Sequence, residues 1–463
     1  MKQDYLNDAE KHGIDHRSTS ERRDSDAVPD SYVKVPESPG IPPIQDRVQL
    51  DVHDGRSPRE ERPGDQTTQR DEQGIFTDTR EKDGRAVKVS RLATEIYTIS
   101  YLILFAIFGT LARLGLQALT YYPGAPVAFS SVWPNFSGSL VMGFLAEDRM
   151  LFRLEWGIPA YEQQLPRARR LASDEEGGTS NSDQVAADLV AAKKSHMATK
   201  KTIPLYIGLA TGFCGSFTSF SSFIRDVFLA LSNDMPMPDI HSAAIPRNGG
   251  YSFMAVLAVI ITTVSLSLSG LYIGAQLAIA LEPITPSLPY AFTRKFLDRL
   301  AVLLAWGCWI GAIVLSVLPP DRFTSPGSLE VWRGSTTFAL IFAPLGCLGR
   351  FYASLFLNGR LPSFHLGTFA VNIIGTAILA MSWDLAHVPE GGVIGCQVLQ
   401  GIEDGFCGCI TTVSTWVAEL AALRRRNAYI YGSASVVVAL ACMVAIMGGL
   451  RWSQGFAGLV CLH

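Results

Sequence analysis

Gly212–Phe223 reads GFCGSFTSFSSF, and Gly405–Trp416 repeats the pattern as GFCGCITTVSTW. Each stretch lies inside an apolar run long enough to cross a bilayer, where glycines and clustered hydroxyls are out of place. Together they loosen a helix and turn backbone carbonyls away from the amide one turn on. Broken backbone of this kind persists at membrane depth only where protein or a water-lined cavity surrounds it, commonly around an ion. Two copies of one unusual pattern imply a duplicated unit.

The rest of the chain fits that setting. Of 463 residues, 48% are hydrophobic and 17% charged, for a formal net charge of -3. A balance so near neutrality argues against a nucleic-acid partner. Charge is concentrated in residues 1–92, which are rich in Asp, Glu, Lys, Arg, Ser and Pro; this stretch lacks the apolar content for a core and reads as a disordered tail. It has no signal-peptide pattern. Cys214, Cys308, Cys347, Cys407, Cys409 and Cys442 fall in candidate spans and read as small apolar packing residues. Cys407-x-Cys409 lacks the second ligand pair a zinc site needs.

From Ile96 onward the pattern predicts an all-α membrane protein of about nine transmembrane helices. The expected spans are 96–119, 127–145, 203–231, 253–281, 296–318, 332–357, 366–385, 393–423 and 429–450. Basic residues decide the orientation. Arg149 to Lys201 in the second connection, Arg294 and Lys295, and Arg424 to Arg426 all fall on the side of the amino-terminal tail. The tail is therefore expected in the cytoplasm and the carboxyl end outside.

Two further motifs recur in order. Phe108–Arg113, FGTLAR, returns as Leu345–Arg350, LGCLGR, and Asn135–Ser139, NFSGS, returns as Asn372–Thr376, NIIGT. Each half then carries four spans, with a single span between them, which inverts the second half relative to the first. The expected organisation is a 4+1+4 inverted repeat with a broken third helix in each half. Residues 93–283 form the first repeat with a cytoplasmic insert at 149–201, 284–331 the connector, 332–453 the second repeat and 454–463 an outer tail.

Several polar residues sit where hydrocarbon is expected, and each has a plain structural reading. Arg113 and Arg350 either snorkel to a membrane surface or serve a vestibule that attracts anions. Asn135 and Asn372 either glue helices together or present an amide to a permeant anion. The hydroxyls Thr218, Ser219, Ser221, Ser222, Thr411, Thr412, Ser414 and Thr415 either bond back to preceding carbonyls or line a path. Phe220 and Phe223 share a helix face, and the positive ring edge suits a dehydrated anion. No enzyme constellation is present, and the histidines fall in loops or at span ends.

Taken together, Gly-x-x-x-Arg, Asn-x-x-Gly-Ser/Thr and Gly-Phe-Cys-Gly-x-x-Thr, in order and twice, resemble the Fluc/FEX fluoride channel family over residues 96 to 450. The fused form with one linking helix is similar to the eukaryotic members. The resemblance implies an antiparallel pseudo-dimer with two narrow pores, functional as a single chain in the lipid bilayer. It also implies a structural sodium ion on the carbonyls of Gly215, Thr218, Gly408 and Thr411. The pore phenylalanines correspond to Phe220 and Phe223 in one half but to Val413 and Trp416 in the other, a departure that predicts unequal pores. Asn135, Asn372, Ser219, Ser221, Thr412 and Ser414 complete the expected pore lining, with Ser265 and Ser269 on one fourth helix and Tyr431 and Ser435 on the other.

The function expected is passive, fluoride-selective export across the plasma membrane. A secondary transporter coupled to an ion gradient, or a non-transporting scaffold docking through the charged tail, are the alternatives.

Overall fold

The computed structural model describes residues 91–123, 125–127, 129–153, 200–235, 248–318, 333–388, 392–459 and 461. Most of the expected tail and most of the basic insert lie outside these residues. Among the described residues the fold is entirely helical. In the first half, α1 is Arg91–Thr120 and α2 is Val132–Glu147. The third span is broken into α3, residues 204–217, and α4, Phe220–Ser232, and α5 is Gly249–Ala280. The connector α6 is Tyr290–Val317. The second half repeats the order: α7 at Thr336–Leu357, α8 at Leu366–Ala386, α9 at residues 392–410, α10 at Ser414–Ala422 and α11 at Arg425–Ser453.

Among the described residues, eight helical stretches are long and apolar enough to cross a membrane. The exception is α2, with 16 residues instead of the 19 expected and a start at Val132 instead of Val127. Proline explains the late start. Pro134 sits in the first turn, where its missing N–H would have had no partner anyway. At the other end, Lys200 is buried and its ammonium donates to the carbonyls of Leu145 and Asp148, which the helix terminus leaves open.

The connector docks by a polar contact that its sequence did not advertise. Asp298 is buried, accepting from the Tyr101 hydroxyl at 3.0 Å and from Arg294 at 3.1 Å, which pins α6 to α1. Trp309 Nε1 donates to the Ile341 carbonyl at 3.0 Å and ties the same helix to α7.

Within the first half, α2 and α5 run side by side in the same direction. Gly270 faces the backbone of Phe136 and Leu140, and Gly274 faces that of Leu140 and Phe144, so that both helices climb together. A side chain at Gly274 would collide with the Leu140 carbonyl. Between the halves, the arms after the breaks cross over: α4 packs on α8 and α11, and α10 packs on α2 and α5. The first helices of the halves, α1 and α7, meet through Leu102, Ala106, Ala343 and Cys347.

Candidate ion-conducting site

The two breaks form at the same place and for the same reason. Thr218 and Thr411 leave the helix with φ −96°, ψ 147° and φ −92°, ψ 156° respectively, both extended. A π-helical segment precedes each break, Gly208–Cys214 in one half and Ile402–Cys407 in the other.

Each break is held open by the asparagine of the second helix. Asn135 Oδ1 accepts from the Ser219 N–H at 2.9 Å, and its Nδ2 reaches the Ser219 carbonyl at 3.4 Å. Asn372 does the same to Thr412, at 2.9 and 3.2 Å. The consequence lies one turn back. Ser219 and Thr412 carry the amides that would close helical bonds to the Gly215 and Gly408 carbonyls, and the asparagines divert them. The Ser222 amide likewise goes to Ser219 Oγ at 3.2 Å, and the Thr415 amide to Thr412 Oγ1 at 3.4 Å. These are the helical donors for Thr218 and Thr411. All four carbonyls expected to hold sodium are thereby released from their own helix. Hard oxygen donors of this kind suit a hard cation, so the residues fit the group.

The hydroxyls join the halves. Thr218 Oγ1 accepts from the amides of Val413 and Ser414 at 3.2 and 3.1 Å, and Thr411 Oγ1 accepts from the Ser221 amide at 3.1 Å. Ser414 Oγ donates to the Cys214 carbonyl at 3.1 Å and Ser221 Oγ to the Cys407 carbonyl at 3.3 Å. This reciprocity is that of a two-fold interface inside one chain. Ser221 and Ser414, expected in the pore lining, have their hydroxyl hydrogens engaged at this junction. Ser219 and Thr412 sit beside them as caps of the second arms.

Arg113 and Arg350, expected in a vestibule or structural role, are buried between the halves. Only 1% and 2% exposed, they run across the two-fold to the opposite half. Arg113 donates to the Ser216 carbonyl at 2.9 Å and to the Asp404 carbonyl. Arg350 donates to the Cys409 and Thr211 carbonyls, both at 2.8 Å. Each guanidinium lies against a glycine of the other half, Arg113 at Gly408 and Arg350 at Gly215, where a Cβ would clash. Buried charges are tolerated because carbonyls of the loosened arms absorb them.

The aromatics of the two halves cluster unequally. Phe220 and Phe223 are fully buried and meet edge to face at 5.7 Å. Phe220 meets Trp416 of the other half at 5.3 Å in the same manner. Val413 is buried where the first half has Phe220. Tyr431 and Ser435 lie on the buried face of α11, whereas Ser265 and Ser269 are exposed on the stripe of α5 that carries Ile261, Tyr272 and Ile273. The inward hydroxyls of α5 are Thr263 and Ser267.

Acidic residues were under-read in the sequence. Glu419 is buried and accepts from the Tyr431 hydroxyl at 2.7 Å, from Thr368 Oγ1 at 2.7 Å and from Asn358 Nδ2 at 3.2 Å. Its counterpart Asp226 is buried and accepts from the Ser131 amide at 3.1 Å, with Arg225 alongside at 3.8 Å. Asp226 and Glu419 hold matching positions in the repeated stretch, a signal the sequence did contain. Glu403, also buried, lies 3.9 Å from Arg225.

At the carboxyl end, Cys396 and Cys461 form a disulfide. Phe456 packs on Trp383 and His387, and Arg451 pairs with Asp234 at 2.6 Å, gathering the ends of α4, α8 and α11. Burial lowers the His387 imidazole below its ordinary value.

The comparisons with known proteins agree with this geometry. The CrcB-like protein family, described as Camphor Resistance (CrcB), matches residues 100–275 and 337–450, one block in each half. The chain belongs to this family. Fluoride export protein 1 of Neurospora crassa is 64% identical over 381 residues, covering 81% of this chain and 70% of that protein. Fluoride export protein 1 of Candida albicans is 35% identical, covering 76% of this chain and 79% of that protein. The fluoride-specific ion channel FluC of Geotalea uraniireducens is 32% identical over 111 residues, covering 23% of this chain and 86% of that protein, as a single repeat would. No solved structure matches the chain.

Proposed function

We propose that this CrcB-like chain is a fluoride channel that exports fluoride, and that it acts as a single chain holding both halves of a pseudo-dimer. The observation that carries the reading is the pair of asparagine-held breaks joined across an internal two-fold, in a chain whose relatives are named for fluoride export. A negative-inside potential supplies the driving force, about 2.3 kcal/mol per charge for each 100 mV. Selectivity comes from replacing hydration in a bore too narrow for hydrated chloride, by amide and hydroxyl donors and ring edges. Growth tests the reading in cells: loss of the chain should sensitise them to fluoride, most strongly in acid medium where HF enters. Normal growth there would refute it.

Sodium belongs to the same proposal. The four diverted carbonyls at Gly215, Thr218, Gly408 and Thr411 would hold it, and the ion would lock the two breaks together. A cation bound only by the folded state raises stability by mass action. Replacing sodium by choline should therefore lower the melting temperature of the purified chain; an unchanged melting temperature would refute a sodium site.

We place the chain in the plasma membrane with the tail in the cytoplasm and the carboxyl end outside. The basic residues support that orientation. So does the Cys396–Cys461 disulfide, which suits an oxidising compartment. An impermeant reductant added to intact cells should open the disulfide, and full protection from it would reverse the orientation.

The buried carboxylates Asp226, Glu403 and Glu419 give proton-coupled carriage its one specific support. A fluoride flux that follows an imposed pH gradient at zero voltage would favour that second reading.

A further inference from the structure

Trp416 stands where the first half has Phe223, and it brings an atom that phenylalanine lacks. The side chain is 2% exposed, yet its Nε1 has no hydrogen-bond partner among the described residues. Its ring meets the Phe220 ring at 5.3 Å and 70°, and its far edge lies beside Gly432, next to Tyr431 on α11. The hydroxyls of Ser131, Ser139, Thr263 and Ser267 are also buried without a partner. A hydroxyl on a helix can turn its hydrogen to the carbonyl one turn back, so Ser139, Thr263 and Ser267 have a low-cost escape, and Ser131 sits beside the Asp226 carboxylate that its amide already meets. The indole N–H is rigid and has none. A buried donor left unmade costs the full desolvation of the group, so the fold has reason to keep this one only if an acceptor visits it.

We infer that the Trp416 indole N–H is a fluoride-binding donor, and that it makes the passage it faces, between Phe220 and α11, the selective one. The inference rests on the fluoride-channel reading and adds to it a residue and a side. Fluoride is a small acceptor with lone pairs in every direction, so it can take the N–H of Trp416 while resting against the positive edge of Phe220. Chloride is larger and accepts more weakly. Phe223, at the matching position of the first half, offers no such fixed donor. What reads in the sequence as the loss of a pore phenylalanine is then a gain in anion affinity.

Two measurements test this on the full chain in lipid. With [15N]indole labelling in nanodiscs, the Trp416 signal is assigned by its absence in Trp416→Phe, or in Trp416→Tyr where the first variant does not assemble. The inference predicts that fluoride shifts this signal while equal chloride does not. In liposomes, Trp416→Phe should slow fluoride efflux about tenfold or more, as expected for a lost hydrogen bond to a charged partner. Trp306→Phe, at an exposed indole on the connector α6, should stay within about twofold of the parent. A Trp416 signal indifferent to fluoride, Trp416→Phe at the parental rate, or the reverse order of the two variants would overturn the inference. A parent chain that passes no fluoride would instead sink the channel reading.

Discussion

Asn135 and Asn372 set the chemistry at the scale of single residues. Both amide faces of each asparagine grip one peptide unit, so the side chain works as a clamp on the break. Asn135→Leu keeps the volume and removes the clamp. The Ser219 amide is then left to close the helix onto Gly215, and unfolding should become easier by about 1–3 kcal/mol. Thermal melting checks this, and the sodium dependence of the melting temperature should shrink with it. Lys200 offers a second test. Burial lowers its ammonium to about 8, so the unfolded chain binds more protons than the folded one between that value and the ordinary 10.5. Stability should rise with pH through that window in the parent and rise less in Lys200→Met, measured by denaturant melts across pH 8 to 10. The asparagines, the arginines and the Phe220–Phe223 pair were all legible as residues in the sequence. Their partners were not, because a motif names a side chain without saying which way it faces. Arg113 and Arg350 illustrate the gap: matched positions signalled importance, and only the fold showed them reaching across to Gly408 and Gly215.

Helices were legible from hydropathy, and their faces less so. The α5 stretch ITTVSLSLSG carries a hydroxyl at nearly every second position, so spacing alone could not choose between Ser265/Ser269 and Thr263/Ser267. Gly270 and Gly274 carried the missing signal, since glycines one turn apart mark the side where another backbone comes close. Gly274→Leu should push α5 off α2 and destabilise the fold by at least about 1–3 kcal/mol. Size-exclusion profiles in detergent would show it as lost monodispersity, while Gly307→Leu on the connector, which meets nothing within 4 Å, should behave as the parent. The Cys396–Cys461 bond was outside the reach of spacing because 65 residues separate the partners. Closing a loop of that length limits the unfolded chain, and Cys461→Ser should lose about 2–4 kcal/mol of stability, with no further loss on reduction. Equal melting of parent and variant would mean the bond does not form.

For the whole molecule, duplication explains both the symmetry and its failure. The first helices, the breaks and the clamps obey the internal two-fold, because they build the junction on which both halves depend. Residues outside the junction are freer to diverge, and there the halves differ: Val413 and Trp416 stand where the first half has Phe220 and Phe223. The repeat order was readable from three motifs, and so was the expectation of unequal pores. The crossing of α4 and α10 into opposite halves was not, since it depends on backbone direction after the break. The central claim is that one chain suffices for passive, selective fluoride flux. The most direct test is efflux from liposomes holding the purified chain, with potassium and valinomycin setting the voltage. Fast fluoride loss that follows the voltage is expected, with chloride retained and no dependence on a pH gradient. Chloride released alongside fluoride, or fluoride that moves only when a proton or sodium gradient is imposed, would contradict it.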